Sequence, residues 1–182
     1  STGTGIREDL GAIDSRYQKA EGTKIDKFDF IAMATRYAGG HVKQELIRLW
    51  ADNSGETINW LGDRLEPVGI KLMNEVGDTV ETRYKDFAIG HSPQKMGKVT
   101  LNNVLHDYAV KKGARFDYNT TMVKLEKKNG RVTGCIARDG DGKYVRYIAK
   151  KGTVVAPGGY ARNYPMMEAL QPWNLRVSSR LG

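Results

Sequence analysis

Three histidines and a single cysteine are the residues of this chain best suited to acid–base, nucleophilic or metal-binding chemistry. His91 lies in the polar segment 90–97, between two halves of different character, where clefts often hold functional histidines. Two interpretations of His91 stay open, a ligand contact and a hydrogen bond within a loop. His106 falls on a helical pattern and Cys135 on an alternating apolar one, so both are predicted to be structural. The histidines lack metal-ligand spacing, and we predict no metal site.

Glycine pairs are the second feature with possible chemistry, because a backbone without side chains lets a cofactor approach closely. Gly158 and Gly159 follow the apolar segment 153–156, as they would in part of a dinucleotide-binding layout. A complete layout also needs three glycines at a helix N-terminus, where backbone amides hold a pyrophosphate. Gly3 and Gly5 have no third glycine at the required spacing, and no strand precedes them. The phosphate-binding half of such a site is therefore not found in this sequence.

The first half of the sequence is typical of helices, because its apolar residues recur at helical spacing. Residues 70–90 are mixed, and alternation over 80–84 suggests one short strand. In chain order, the patterns predict a helix capped by Asp26 that ends at Gly39, a second helix over roughly 41–52, and a third capped by Ser54 that ends at Pro67.

The second half is dominated by strands and turns. Asn129-Gly130 and the segment 139–142 favour hairpin turns, so the strands beside them should form an antiparallel meander. The predicted elements are a helix over 99–112, a short strand at 115–118, meander strands over 121–127, 131–138 and 143–150, and a short apolar strand at 153–156.

The composition indicates an ordinary soluble globular protein, with 40% hydrophobic and 27% charged residues. No apolar run is long enough to span a bilayer, and a single cysteine excludes an internal disulfide. The net charge of +8 is compatible with nucleic-acid binding, but the basic residues are scattered among 21 acidic ones. We therefore do not predict a nucleic-acid partner.

Several stretches resemble the soluble fumarate reductase family of flavoproteins, which includes urocanate reductases, ketosteroid dehydrogenases and enoate-type reductases. The resemblance rests on residues 104–113, 119–125, 129–134 and 154–163. Residues 41–69 resemble, more loosely, the helical part of the mobile capping domain of that family. The resemblance implies a bound FAD that passes hydride to an activated carbon–carbon double bond, under a cap that excludes water.

The resemblance also implies roles for individual residues. His91 falls on a His-x-Pro segment whose histidine helps to hold a substrate carboxylate or carbonyl. Thr121 stands where fumarate reductases place a proton-donating arginine, and its hydroxyl cannot act as a cationic proton relay, so fumarate itself is not the expected substrate. The implied cofactor-binding residues are Val123, at the adenine side of FAD, and Ala156, Gly158 and Gly159, on the element that lines the cofactor. Pro157 replaces a threonine of that element.

The predicted fold class is α+β: a helical capping domain over residues 1–90, followed over 91–182 by an incomplete FAD-domain portion with a helix, short strands and a three-stranded antiparallel β-meander. We predict a piece of an FAD-dependent oxidoreductase that is inactive alone and holds little FAD. Its expected partners are the remainder of the FAD domain and a small unsaturated substrate. Open strand edges predict self-association through 115–160. The alternative is a stand-alone, cofactor-free binding domain.

Overall fold

A computed structural model describes residues 10–75, 87–94, 99–158, 160, 163–172 and 175. The chain divides into two compact units, residues 1–114 and residues 115–182. The first contains β1 (Leu10–Gly11), α1 (Arg16–Ala20), α2 (Lys27–Tyr37), α3 (Gln44–Leu65), a 3₁₀ turn (Glu66–Val68), β2 (Lys71–Glu75), β3 (Gly90–Gln94) and α4 (Leu101–Lys111). The second contains β4 (Thr121–Lys128), β5 (Arg131–Arg138), β6 (Tyr144–Ile148) and α5 (Tyr164–Leu170). No helix among the described residues is long and apolar enough to cross a membrane.

The helices of the first unit confirm most of the helical predictions and correct one. Asp26 caps α2 by accepting from the Asp29 N–H at 3.0 Å. The predicted second and third helices are one continuous helix, α3, and Ser54 is not its N-cap. The Ser54 hydroxyl instead accepts from the Ile13 N–H at 3.0 Å, so it binds a neighbouring loop and leaves the helix uninterrupted. Gly55 lets this loop approach, since a Cβ there would lie 2.4 Å from the Ile13 carbonyl oxygen.

A three-stranded antiparallel sheet in the first unit escaped the sequence analysis. Its order is β1–β3–β2, and His91 on β3 lies opposite both Leu10 and Asn74. Buried Leu72 and Asn74 alternate with exposed Met73 in the structure, but an apolar residue at the exposed position and a polar one at a buried position hide this alternation in the sequence. The predicted strand at 80–84 lies outside the described residues.

The first unit has a hydrophobic core in two clusters that join its helices to this sheet. One lies where α3 meets β2 and α4, and the other lies between α2 and α3. The buried members are Ala12, Ile58, Leu61, Leu65, Ile70, Leu72 and Leu101 in the first cluster, and Ile13, Phe30, Ile31 and Ala51 in the second.

The boundary between the compact units falls after residue 114 and not after residue 90. The physical reason is that β3 is hydrogen-bonded to β1 on one side and β2 on the other, so a cut at residue 90 would divide a sheet. The functional division into a capping part, 1–90, and an FAD part, 91–182, stays a prediction.

The second unit is built on the predicted meander, and the strand order β4–β5–β6 confirms it. The Asp139 carboxylate accepts from the N–H groups of Asp141 and Lys143, which closes the β5–β6 turn. Two strand predictions were wrong, because residues 115–118 and 153–156 form no ladder. Val154 and Val155 of the second segment are exposed. A strand exists only when its backbone finds a neighbour, and no described segment supplies one here.

The meander has two chemically different faces, which follow from its register. We call them the apolar face and the basic face. The apolar face carries Met122, Leu125, Cys135, Ala137, Val145 and Tyr147. The basic face carries Thr121, Lys124, Glu126, Ile136, Arg138, Tyr144, Arg146 and Ile148.

Candidate functional site

His91 is fully enclosed in the first unit, with 0% of its surface exposed. Its Nδ1 lies 2.9 Å from the Ile89 carbonyl oxygen, and its Nε2 lies 2.6 Å from the Ser15 Oγ. The ring also meets Tyr17 edge-on, at 6.1 Å between centroids. Both ring nitrogens therefore have a partner within the unit.

The partners of His91 define its tautomer. A carbonyl oxygen only accepts, so Nδ1 carries the proton and donates it to Ile89. Ser15 Oγ also accepts from the Gln18 N–H at 3.1 Å, and its hydroxyl lies within hydrogen-bond distance of Nε2 of His91. A ring with its proton on Nδ1 can accept from this hydroxyl.

Ser15 and Gln18 are the residues of this site that the sequence analysis missed. They form a capping box at the start of α1, and Gln18 Nε2 also donates to the carbonyls of Ala12 and Ala88. The Ser-x-x-Gln spacing is a known helix-start signature and was a usable signal. Because Ser15 and His91 are both 0% exposed, their close pairing holds a loop in place and does not present a nucleophile to a substrate. The substrate-orienting role of His91 stays a prediction.

A second polar network ties α1 to the end of α3. Arg16 Nη2 lies 2.8 Å from Glu66 Oε1, and the Tyr17 hydroxyl donates to the same oxygen at 2.6 Å. Arg16 also pairs with Asp63. The Tyr17 hydroxyl and the Arg16 guanidinium lower the pKa of Glu66, while partial burial and Glu66 raise the pKa of Tyr17. These contacts join α1 to the C-terminal end of α3.

Thr121 and Val123, the predicted residues of β4, are both exposed. Thr121 begins the strand and lies opposite Arg138. Val123 is the extra residue of a β-bulge, because Met122 pairs with Ala137 and Lys124 with the next residue of β5. Bulges take a residue out of the ladder and redirect the backbone around it.

The described part of the predicted cofactor segment after the meander is exposed and forms neither helix nor strand. Ala156 and Gly158 are both exposed, and Gly158 has a φ of 77°, a backbone conformation that favours glycine. Gly158 lines an open cavity of about 710 Å³, together with Tyr160, Asn163 and Tyr164. Gly159 lies outside the described residues.

These features fit one part of an FAD site and not the whole of it. The bulged backbone at Val123 and the positive-φ backbone at Gly158 are places where a ligand can approach a main chain. Among the described segments, none is a glycine-rich helix N-terminus of the kind that holds a pyrophosphate. The described residues thus fit contacts to FAD without its phosphate-binding half.

An α+β fold with an antiparallel meander and a glycine-bearing segment after it is the class of structure found in flavoproteins. The chain belongs to the FAD binding domain family, whose sequence model matches residues 11–176. The match spans both compact units.

Two curated relatives and one solved structure illustrate the similarity. The chain is 27% identical over 171 residues to the vinyl phenol reductase of Lactiplantibacillus plantarum, covering 93% of this chain and 33% of the relative. It is 27% identical over 157 residues to the 8-methylmenaquinol:fumarate reductase flavoprotein subunit of Wolinella succinogenes, covering 84% and 24%. The crystal structure of the 3-ketosteroid-Δ4-(5α)-dehydrogenase of Rhodococcus jostii RHA1 superposes with a TM-score of 0.77 at 25% identity, covering 97% of this chain and 42% of that one.

These comparisons confirm the predicted flavoprotein family and the α+β fold class. The chain spans about a third or less of the length of the two curated relatives. The family is that of FAD-dependent oxidoreductases, as the fumarate reductase and steroid dehydrogenase similarities indicate.

Proposed function

We propose that this chain is part of an FAD-dependent oxidoreductase that reduces, or in reverse dehydrogenates, an activated carbon–carbon bond of a small substrate bearing a carboxylate or carbonyl. The observation that carries the proposal is the match of residues 11–176 to the FAD binding domain family. The β-bulge at Val123 supports it, at the position where the resemblance expects the adenine side of FAD to meet the backbone. Gly158 supports it, since its positive φ leaves an open backbone beside a cavity. When bound, FAD supplies the hydride chemistry; the residues of this chain bind and orient.

The substrate class is proposed from the relatives. Their names indicate a vinyl phenol and fumarate, and the steroid dehydrogenase structure contains 4-androstene-3,17-dione; each of these molecules carries a double bond next to an activating group. Thr121 argues against fumarate here, because a threonine hydroxyl is a poor proton donor compared with a cationic side chain. A phenolic or carbonyl-activated alkene is therefore the better first choice.

The chain alone is proposed to be inactive and to bind little FAD. Among the described residues of the second unit, only Ala137 and Met167 are buried apolar residues, so this unit lacks a core of its own. A meander without a covered apolar face cannot hold a cofactor site rigid. We propose that the remainder of the FAD domain packs on the apolar face and completes the site.

The test compares two proteins, residues 1–182 and the full-length protein that contains them. Flavin absorbance after purification is expected in the full-length protein and not in residues 1–182. Anaerobic oxidation of the reduced full-length protein is then followed with 4-vinylphenol, fumarate and 4-androstene-3,17-dione. Absence of flavin from the full-length protein would overturn the proposal and favour a cofactor-free binding domain.

A matched pair of variants tests the Val123 contact. Val123→Pro removes the backbone N–H at the bulge, whereas Val123→Ala keeps it. Both substitutions are made in the full-length protein. We expect the proline variant to bind FAD tenfold or more weakly than the wild type and the alanine variant to keep the wild-type affinity. Similar affinities in both folded variants would remove Val123 from the site.

A further inference from the structure

Net charge is divided unequally between the two units. Residues 115–182 contain 13 Lys and Arg against 5 Asp and Glu, while residues 1–114 contain 16 of each. The entire net charge of +8 therefore belongs to the second unit. A field of one sign concentrated on one small unit attracts anionic surfaces.

The basic face of the meander gathers part of this charge on one surface. Arg138 and Arg146 project from it beside Lys124. Arg146 reaches across Gly134 to pair with Glu126 at 2.7 Å. Among the described residues, no carboxylate lies within ion-pair distance of Lys124 or Arg138. These two cations are thus available to a partner.

Apolar tips project from the same face. Tyr144 is 68% exposed and Ile148 is 76% exposed, and both stand beside the arginines of β5 and β6. Tyrosine and aliphatic side chains flanked by Lys and Arg are the composition of surfaces that rest at a membrane–water interface. The side chain of Ile148 has no charge or hydrogen-bonding group with which to bind a nucleic-acid backbone.

The surroundings of the face favour a bilayer over a protein partner. Lysine is depleted at protein interfaces, but it serves as well as arginine for attraction to anionic lipid. Exposed lysines at the end of β4, in the β5–β6 turn and after β6 add to the charge of this unit, at positions 128, 143, 150 and 151.

The same charges indicate that this face stays in solvent when the protein is complete. Burying unpaired Lys124 and Arg138 under another domain would carry a large desolvation cost. The six residues that define the apolar face are uncharged, and we take that face as the surface for internal packing. We propose that the basic face of the second unit binds the anionic headgroups of a membrane surface, holding the protein peripherally on the bilayer.

The experiment measures co-sedimentation of the full-length protein with vesicles at low and high salt. Vesicles of phosphatidylcholine with 30% phosphatidylserine are compared with vesicles of phosphatidylcholine alone. Binding only to the anionic vesicles, weakened steeply between 50 and 500 mM salt, is expected because exposed charges are screened. Equal binding to both vesicles, or to neither, would overturn the proposal. The assay needs no turnover and is independent of the proposed reaction.

Two double charge reversals localise the surface. Lys124→Glu with Arg138→Glu alters the basic face, and Arg36→Glu with Lys71→Glu makes the same change at exposed positions of the first unit. Each basic residue near an anionic surface contributes roughly fivefold to partitioning, so the first variant should bind at least about 25-fold more weakly and the control close to wild type. Equal loss in both variants would show that only net charge matters and would overturn the assignment.

A third variant keeps the charge and removes the apolar tips. Tyr144→Ser with Ile148→Ser should reduce the binding that survives at 500 mM salt, and circular dichroism checks that every variant is folded. A 20-base-pair DNA duplex serves as competitor. If the duplex binds more tightly than the anionic vesicles and its binding is lost in the same face variant, the surface is a nucleic-acid site and the membrane proposal fails.

Discussion

The two units contrast in where their stability resides. The first encloses two apolar clusters that join its helices to a sheet, and its polar residues Ser15, Gln18 and His91 are buried with partners. The second has a hydrogen-bonded meander, but among its described residues only Ala137 and Met167 are buried apolar ones. Regular backbone pairing and a hydrophobic core are therefore separable. Of the two, the core decides whether a unit can stand alone.

The largest expected effect comes from separating the units. Residues 10–114 should unfold cooperatively on heating, because they contain both clusters. Residues 115–182 should show no cooperative transition and should self-associate through open edges and the apolar face. Differential scanning calorimetry and analytical ultracentrifugation measure the two outcomes. A cooperative transition in monomeric residues 115–182 would contradict the inference that the second unit lacks a core of its own.

The next effect uses one residue type in both units. Ile58 is 4% exposed in the first unit, and Ile148 is 76% exposed in the second. Ile58→Ala should lower the free energy of unfolding by about 2–5 kcal/mol, since it removes a transfer contribution and leaves a cavity. Ile148→Ala should change it by less than about 0.5 kcal/mol. Denaturant titration of the intact chain gives both values, and similar losses would contradict the assigned core.

A smaller effect tests the buried polar network. Ser15→Ala removes the N-cap of α1 and leaves Nε2 of His91 without a donor, so we expect a loss of about 1–3 kcal/mol. Thr100→Ala is the matched control, because Thr100 also caps a helix with a capping box but touches no buried histidine. The control should lose about 1 kcal/mol. Histidine ¹⁵N shifts should report a protonated Nδ1 in both proteins, because that proton is held by the Ile89 carbonyl, and a change at Nε2 in Ser15→Ala only. An unchanged Nε2 shift in the variant would argue against the network.

The smallest effect is pH-dependent. The lowered pKa of Glu66 means that its ionised form stabilises the folded unit above the unfolded-state pKa of about 4.5 and that this stabilisation is lost as pH falls through the folded-state value. At pH 7 the free energy of unfolding of the wild type should exceed that of Glu66→Gln by less than about 1 kcal/mol, because the Arg16–Glu66 pair is exposed to solvent. The difference should vanish toward pH 3.

Unfolding free energies at several pH values measure this difference. Glu56→Gln, at an exposed position of α3, is the control and should show no such convergence. If the wild type were still more stable than Glu66→Gln at pH 3, the stabilisation by this network would not depend on the charge of Glu66.

Local patterns predicted what depends on near neighbours in sequence. The meander followed from Asn129-Gly130 and from alternating residues, and α2 followed from its cap at Asp26. The continuity of α3 could not be predicted, because Ser54 is diverted from capping by a loop 41 positions away. The burial of His91 depends on Ser15, 76 positions distant. Local signals do not contain such pairings.

The strand predicted at residues 153–156 was wrong because a strand depends on a partner as well as on its own residues. Their apolar character favours a strand, but strand geometry also requires a neighbouring backbone. The apolar pattern predicts a preference, and only a partner converts it into structure.

The contact at Gly55 has a consequence for the evolution of this fold. Because a Cβ at this position would lie 2.4 Å from the Ile13 carbonyl and 2.8 Å from that of Asp14, no other residue type fits while the loop keeps its seat on α3. Drift at this position must therefore be accompanied by displacement of the loop. A glycine in the middle of a long amphipathic helix is therefore a position to look for when distant sequences are searched for the same architecture.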